Sequence, residues 1–219
     1  MTFDWNKTET AATYRNVKRV LLTFSLIAAL LLRVGSAAGQ ENTPVLEKAV
    51  FAGGCFWCMQ PPFDHAPGVV STLVGFAGGR EENPTYQQVS AGETTHREAI
   101  EVTFDPAKIS YDKLLEIFWH NISPIQTDGQ FHDFGDQYTT AIFYTTEEQK
   151  AAAERSKEQL AQSGKFKKPI ATVILPAGKF WPAEEYHQKY YIKNPMAYGM
   201  YRFGSGRNGY LKATWGEAH

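Results

Sequence analysis

Apolar residues recur in several short runs beyond about residue 44, and each run predicts a β-strand. The clearest run is 98–104, which alternates until Asp105 and Pro106 end it. Further strands are predicted at these apolar segments: 48–52, 69–76, 138–144 and 170–175.

Two stretches between these strands carry helix signals. Ser110 caps a predicted helix that continues to about residue 120 with an apolar stripe along one side. Thr145 and Glu148 form a capping-box pattern for a second helix, which a Ser-Gly pair at 163–164 ends. Strands and helices therefore both occur, but without the strict alternation of a parallel α/β protein.

Proline and several glycines interrupt residues 194–219, which also contain several tyrosines. This composition predicts an ordered but irregular C-terminal wrap. Together with the elements before it, the wrap completes a predicted α+β fold, a two-layer α/β sandwich with a mixed sheet. Residues 39–219 are predicted to form a single domain, with a motif-bearing core at about 46–195.

Residues 1–38 differ from the rest of the chain. Arg15, Lys18 and Arg19 precede a thirteen-residue apolar run at 20–32. Small residues follow the run, and Ser36 and Ala38 suit peptidase cleavage after Ala38. The run is shorter than the roughly 20 residues of a membrane-spanning helix. We therefore predict a signal peptide and an exported protein, periplasmic or in the cell envelope. The alternative is an uncleaved N-terminal anchor, because Arg33 follows the run directly and the polar leader is long.

Composition and charge narrow the choice of partner. The net charge is −1, and it becomes −4 without residues 1–38, which carry five basic and two acidic side chains. Lysine and arginine are scattered rather than grouped in a basic stripe, so a nucleic-acid partner is not expected. No stable membrane partner is expected either once the leader is removed.

The chain has two cysteines, Cys55 and Cys58, three residues apart. A disulfide across so small a loop would add little stability, so the pair is more typical of a redox motif than of a structural staple. A glycine pair at 53–54 leads into a short predicted helix at 55–64, whose N-terminus would favour the Cys55 thiolate. A zinc site is the other interpretation of two such cysteines, but the chain has no second ligand pair for it.

One carboxyl is placed unusually by the strand pattern. The period of two puts Glu98 on the face of 98–104 that must be buried, whereas Glu101 points the other way. A buried carboxyl has its charged form disfavoured, so Glu98 could carry a proton near neutral pH. The simpler interpretation is a residue at the rim of the sheet, paired with Arg97 or with a neighbouring strand.

Several segments resemble the A-type peptide methionine sulfoxide reductases. They follow in order from Gly54-Cys55-Phe56-Trp57-Cys58 through 67–69, 75–79, 83–86, 96–99 and 135–138 to 193–195. The resemblance implies an α+β sandwich that reduces the S epimer of methionine sulfoxide, free or in proteins, without a metal or prosthetic group.

The resemblance also implies a role for individual residues. Cys55 matches the catalytic cysteine, and Glu98 matches the proton donor. The other matching positions bind substrate: Phe56 and Trp57 form the pocket for the methyl group, Tyr86 and Tyr138 bond the sulfoxide oxygen, and Asp133 supports that network.

Cys58 stands where many relatives have glycine, and the C-terminal stretch contains no cysteine. Cys58 is therefore expected to resolve the Cys55 sulfenic acid as a disulfide, which an external dithiol such as thioredoxin or a thioredoxin-like protein would reduce. Two alternatives stay open on the residues alone. One is a thioredoxin-like disulfide oxidoreductase, and the other is a non-enzymatic binding module with a structural disulfide.

Overall fold

The computed structural model describes residues 45–216, which belong to one compact unit. The predicted leader at 1–38, with its alternative as an anchor, lies outside the described residues. Within 45–216, no helix is both long and apolar enough to cross a membrane.

The described residues contain eight strands: β1 (Glu47–Ala52), β2 (Val69–Ala77), β3 (Arg97–Phe104), β4 (Gly129–Gln130), β5 (Asp133–Phe134), β6 (Ala141–Tyr144), β7 (Val173–Pro176) and β8 (Trp181–Pro182). Six of them form one sheet in the order β7-β6-β1-β3-β2-β8, and β4 pairs with β5 in a separate ribbon. All neighbours in the large sheet are antiparallel except β6 and β7, which are parallel. The predicted α+β fold with a mixed sheet is confirmed.

Seven α-helices accompany the strands: α1 (Phe56–Asp64), α2 (Tyr86–Ser90), α3 (Tyr111–Trp119), α4 (Glu147–Gln162), α5 (Tyr190–Lys193), α6 (Pro195–Gly204) and α7 (Arg207–Trp215). Two 3₁₀ turns span Asp136–Tyr138 and Glu185–His187. α1, α3 and α4 share one apolar core with β1 and β3. Its side chains include Phe51, Phe63, Ile100, Val102, Leu114, Phe118 and Ala153.

The C-terminal segment is helical, so the predicted irregular wrap is wrong. Pro195 occupies the first turn of α6, where its fixed φ suits a helix and its missing N–H costs nothing. Gly206, at a φ of 78°, separates α6 from α7. The glycines that suggested an irregular chain therefore include Gly206, which joins the helices α6 and α7.

Three predicted boundaries also shift. The strand predicted at 170–175 begins three residues later, as β7 at Val173–Pro176. The strand predicted at 138–144 covers only Ala141–Tyr144, because Tyr138 belongs to the 3₁₀ turn that follows Gly135. The N-cap of α4 is Thr146, whose side chain accepts the Gln149 N–H, rather than the Thr145 and Glu148 pair. The predicted helix after Ser110 and the stop at 163–164 are confirmed.

Candidate active site

The two cysteines lie at the junction between β1 and α1. Gly54 turns the chain with a φ of 78°, and a Cβ there would approach the Cβ of Gln130 to 2.5 Å. Cys55 is the N-cap of α1, and Cys58 lies in its first turn, with its N–H donated to the Cys55 carbonyl at 3.0 Å. Both are free thiols; Cys55 is 5% exposed and Cys58 is 0% exposed. The predicted strand, turn and helix around the pair are confirmed.

The Glu98 side chain contacts the first residue of α1. Its Oε2 accepts the Phe56 N–H at 2.9 Å, and its side chain is only 2% exposed. Burial raises the pKa of Glu98 to about 8, although the Phe56 N–H acts in the opposite direction. Glu98 therefore carries a proton at neutral pH. The rim interpretation fails, because Arg97 Nε donates instead to Thr139 Oγ1 at 2.9 Å.

The two thiols share a hydrogen bond and differ in acidity. Burial, followed by that bond, raises the pKa of Cys55 well above its ordinary value. The bond lowers the pKa of Cys58 to about 6, with the nearby cations of Arg207 and Arg202 acting in the same direction. The resting proton therefore belongs to Cys55. The expectation that the helix N-terminus favours a Cys55 thiolate is wrong here, because burial and Cys58 raise the pKa of this thiol and its side chain makes no cap hydrogen bond.

Tyr86 and Tyr138 lie close to Glu98 and Cys55. Burial, followed by the negative charge of Glu98, raises the pKa of both phenols. Both therefore keep their O–H and can donate a hydrogen bond. The structure thus brings together the two predicted phenols, the predicted acid and the predicted nucleophile.

Asp133 has a partner that the sequence analysis missed. The Tyr201 hydroxyl donates to Asp133 Oδ2 at 2.6 Å, and the same tyrosine is a side-chain hydrogen-bond partner of Cys55. Tyr201 lies on α6, in the segment that was predicted to be irregular. Only its place in a tyrosine-rich stretch could have indicated a role.

The two aromatic residues between the cysteines form a wall with other rings. Phe56 stacks near Tyr86 at 6.2 Å between ring centroids. Trp57 stacks on Tyr190 at 3.9 Å and meets the edge of Tyr201 at 5.8 Å. The predicted positions of Phe56 and Trp57 beside the nucleophile are therefore matched by an aromatic surface built from three segments of the chain.

The 3₁₀ turn Glu185–His187 supports this wall, and the sequence analysis missed it too. Trp57 Nε1 donates to His187 Nδ1 at 3.1 Å, and the His187 ring lies 4.2 Å from that of Tyr86. Glu184, the residue before the turn, accepts the Tyr86 backbone N–H at 3.1 Å. Burial lowers the pKa of His187 to about 4, so its ring is neutral and can accept from the indole.

A second concave region of the surface contains none of these reactive groups. A groove of about 860 Å³ lies between α1 and α3, but neither cysteine nor Glu98 lines it. Among residues 45–216, no three His, Cys, Asp or Glu side chains cluster closely enough to hold a metal ion.

Comparisons with known proteins agree with this geometry. The family model described as "Peptide methionine sulfoxide reductase" matches residues 47–219. The protein named MsrA of Bacillus licheniformis is 54% identical over 79% of this chain and 96% of its own length. The MsrA of Halalkalibacterium halodurans is 56% identical over 78% of this chain and 98% of its own length.

Solved structures show the same likeness. Reduced Mxr1 from Saccharomyces cerevisiae aligns with a TM-score of 0.64 and 31% identity over 69% of this chain and 87% of its own. Methionine sulfoxide reductase A of Corynebacterium diphtheriae aligns with a TM-score of 0.61 and 35% identity, over 71% of this chain and 78% of its own. The chain therefore combines a pair of thiols beside a protonated carboxyl with similarity to these proteins over most of its length. It belongs to the A-type peptide methionine sulfoxide reductases.

Proposed function

We propose that this chain reduces methionine S-sulfoxide, free or in proteins, to methionine, with Cys55 as nucleophile and Glu98 as proton donor. The observation that carries the proposal is the placement of Glu98: a buried, protonated carboxyl held by the N–H of the residue that follows Cys55. An acid beside a thiol suits a substrate whose sulfur must be attacked while its oxygen is protonated.

In the first step, Cys55 Sγ attacks the sulfoxide sulfur, and the sulfoxide oxygen receives a proton from Glu98. The proton that the two thiols share passes to Cys58 as Cys55 attacks. The oxygen then moves to Cys55, which becomes a sulfenic acid, and methionine leaves as the reduced thioether. One oxygen atom is transferred, so the sulfoxide is reduced by two electrons and Cys55 is oxidised by two.

The surroundings fix both ends of the sulfoxide group. Tyr86 and Tyr138 donate hydrogen bonds to its oxygen, and Asp133 acts through Tyr201 on the same side. Phe56 and Trp57 enclose the methyl group, which is small and apolar. The two surfaces differ in polarity, so they can distinguish oxygen from methyl and thereby select one epimer.

Cys58 resolves the sulfenic acid. Its thiol attacks Cys55 Sγ, water leaves, and a Cys55–Cys58 disulfide forms. A thioredoxin or a thioredoxin-like dithiol then returns the pair to two thiols by exchange. The effect of each thiol on the other's pKa supports this step, because it indicates that the two side chains are neighbours.

We further propose that residues 1–38 direct export and are removed, so that the enzyme repairs oxidised proteins in the periplasm or cell envelope. The support is the basic leader, the short apolar run and the small residues that follow it. Mass spectrometry of the protein purified from its own cells tests this proposal. A chain beginning at Gly39 is expected, whereas an intact Met1 in the membrane fraction would indicate the uncleaved anchor.

A steady-state assay tests the activity. A peptide containing methionine S-sulfoxide should yield methionine with dithiothreitol, and then with thioredoxin as the reductant. The R-sulfoxide peptide is the matched control and should react far more slowly. No turnover of the S-sulfoxide peptide with either reductant would contradict the proposed function.

A further inference from the structure

Arg207 is a buried cation whose contacts are all uncharged. The residue is 1% exposed, and its guanidinium donates to the carbonyls of Gly53 at 3.0 Å and Asn121 at 2.6 Å. It also contacts Met59 Sδ at 3.5 Å and lies 4.4 Å from the centre of the Phe131 ring. No carboxylate within residues 45–216 forms an ion pair with it.

A buried guanidinium is costly without a compensating negative charge, even where carbonyls accept its hydrogen bonds. The contacts of Arg207 place it around the cysteine pair, because Gly53 precedes the pair and Met59 follows it directly. Within the segment from Gly53 to Met59, a cysteine thiolate is the group that can supply a negative charge to balance Arg207.

Cys58 is the better placed of the two sulfurs. Arg202 also donates to the Cys58 carbonyl at 3.2 Å, so cations from α6 and α7 both lie on the Cys58 side. The groups that act on Cys58 are Arg207, Arg202 and the Cys55 thiol, which favour its charge, and Asp133, which opposes it. On the other side, Cys55 faces Glu98 and Tyr201.

We propose that Arg207, assisted by Arg202, holds Cys58 as the leaving thiolate when the Cys55–Cys58 disulfide is reduced, so that the external dithiol attacks Cys55 Sγ. This inference rests on the proposed function, because it requires that disulfide to form. Arg207 acts through Cys58 and is therefore a positioning residue rather than a catalytic one.

Accessibility also favours attack of the external thiolate on Cys55 Sγ. The substrate sulfur must reach Cys55 Sγ during reduction, so a path for a thiolate to that atom already exists. Cys58 is fully buried, and Arg202 of α6 bonds its carbonyl. In thiol–disulfide exchange the more acidic thiol leaves faster, so accessibility and leaving ability select the same direction of attack.

The electrons balance in two exchanges. A thiolate of the dithiol attacks Cys55 Sγ, the Cys55–Cys58 bond breaks, and Cys58 leaves as a thiolate beside Arg207. The second thiol of the dithiol then attacks its own partner sulfur in the mixed disulfide, and Cys55 leaves and takes up a proton. The dithiol loses two electrons and becomes a disulfide, and the cysteine pair gains them.

Trapping the mixed disulfide tests the direction of attack in the wild-type protein. The enzyme is first oxidised with methionine S-sulfoxide, then mixed with a thioredoxin variant that lacks its second cysteine, quenched with acid and alkylated. Fragment mass spectrometry should find thioredoxin on Cys55 and the alkyl group on Cys58, with a preference of at least about tenfold. A mixed disulfide mainly on Cys58 would overturn the inference. If the substrate produces no disulfide at all, the proposed function fails instead, and a disulfide made with diamide still allows the attacked sulfur to be identified.

Substitutions test the part played by the charge. Arg207→Gln should slow thioredoxin reduction of the preformed disulfide by about tenfold. Arg207→Lys should slow it less, because it keeps the charge although it loses the paired guanidinium hydrogen bonds. In a Cys55→Ser background, the ultraviolet absorbance of the Cys58 thiolate should appear at higher pH with Gln than with Lys. Arg155→Gln, at an exposed arginine of α4, is the matched control and should change neither measurement.

Equal rates for Arg207→Gln and wild type would contradict the role of Arg207. So would equal slowing by Gln and Lys, which would indicate a packing role alone. If Arg207→Gln does not fold, Arg202→Gln provides a second variant, with a smaller but measurable slowing expected, and the trapping experiment still decides which sulfur is attacked.

Discussion

Trp57 Nε1 donates a hydrogen bond to His187 Nδ1 at 3.1 Å, which fixes an active-site ring through a residue 130 positions further along the chain. The ring of His187 is held in turn between those of Tyr86 and Phe56, at centroid distances of 4.2 and 5.2 Å. The substrate pocket is therefore positioned by a 3₁₀ turn that carries none of the reacting groups.

His187→Phe keeps a ring at this position but removes the acceptor for Trp57. Because one hydrogen bond contributes about 1 kcal/mol, we expect KM for the sulfoxide peptide to rise about fivefold while kcat changes less. Steady-state kinetics measure both constants. In a double-mutant cycle with Trp57→Phe, the two effects should be clearly non-additive; simple additivity would show that the bond does not position the ring.

Acidification should break the same bond in the wild-type enzyme. The pKa of His187 falls from about 6.5 when unfolded to about 4 when folded, because burial disfavours the charged ring. The stability that neutral His187 contributes is therefore present above pH 6.5 and is lost as the pH falls towards 4. Urea unfolding across this range should show a smaller loss in His187→Phe than in wild type; identical losses would refute the assignment.

Cys55→Ser should abolish sulfoxide reduction with every reductant, since a serine hydroxyl is too weak a nucleophile at neutral pH. The assay is methionine release from the S-sulfoxide peptide with dithiothreitol. Circular dichroism should show an intact fold. Turnover above background in this variant would remove Cys55 from its assigned role.

Glu98→Gln keeps the shape of the side chain but cannot supply the proton. We expect kcat to fall by about 10²-fold at pH 7, in keeping with general acid catalysis. Since the carboxyl is protonated below a pKa of about 8, wild-type activity should decline above that pH, and the variant should lack this decline. Glu101→Gln, on the opposite face of β3, is the matched control and should keep nearly full activity.

The same carboxyl should affect stability. Its folded pKa is raised, so its contribution is fully present below pH 4.5 and is lost as the pH rises to about 8. The free energy of unfolding of Glu98→Gln should therefore decline less over this range than that of wild type. Parallel declines would place Glu98 in a more exposed environment than the structure shows.

Cys58→Ser should still release one methionine per enzyme in a single turnover, because attack belongs to Cys55. Steady-state turnover with thioredoxin should drop sharply, while dithiothreitol should restore much of the rate by attacking the sulfenic acid directly. After substrate without reductant, wild type should lose two hydrogens and the variant should gain one oxygen by mass spectrometry. Equal thioredoxin-dependent rates in the two proteins would mean that recycling follows another route.

Local patterns predicted the parts of the site that lie on regular elements. The period of two in β3 predicted the buried position of Glu98, and the glycine pair before Cys55 predicted the start of α1. The acidity of Cys55 could not be predicted in this way. It depends first on burial of the thiol and then on its neighbours, Cys58 and the distant Glu98.

The residues that hold the site together were missed for a related reason. Tyr201, His187 and Arg207 reach the site from 68 to 154 positions away from their partners. No spacing rule connects residues across such distances. Tyr201 and Arg207 also lie in the segment whose glycines suggested an irregular chain, although the fold uses one of those glycines to join α6 to α7.

The bond from the Phe56 N–H to Glu98 also bears on how the enzyme survives oxidants. Peroxides oxidise thiolates much faster than thiols, and the N–H that could have favoured a Cys55 thiolate is donated to the carboxyl instead. Burial raises the pKa of Cys55, so this thiol keeps its proton at rest, and the more acidic sulfur of Cys58 is buried away from solvent. The reduced enzyme should consequently react faster with methionine sulfoxide than with hydrogen peroxide. A sulfoxide bound in the site receives a proton from Glu98, and its binding accompanies the proton transfer from Cys55 to Cys58. Hydrogen peroxide in bulk solvent does not bring about either proton transfer.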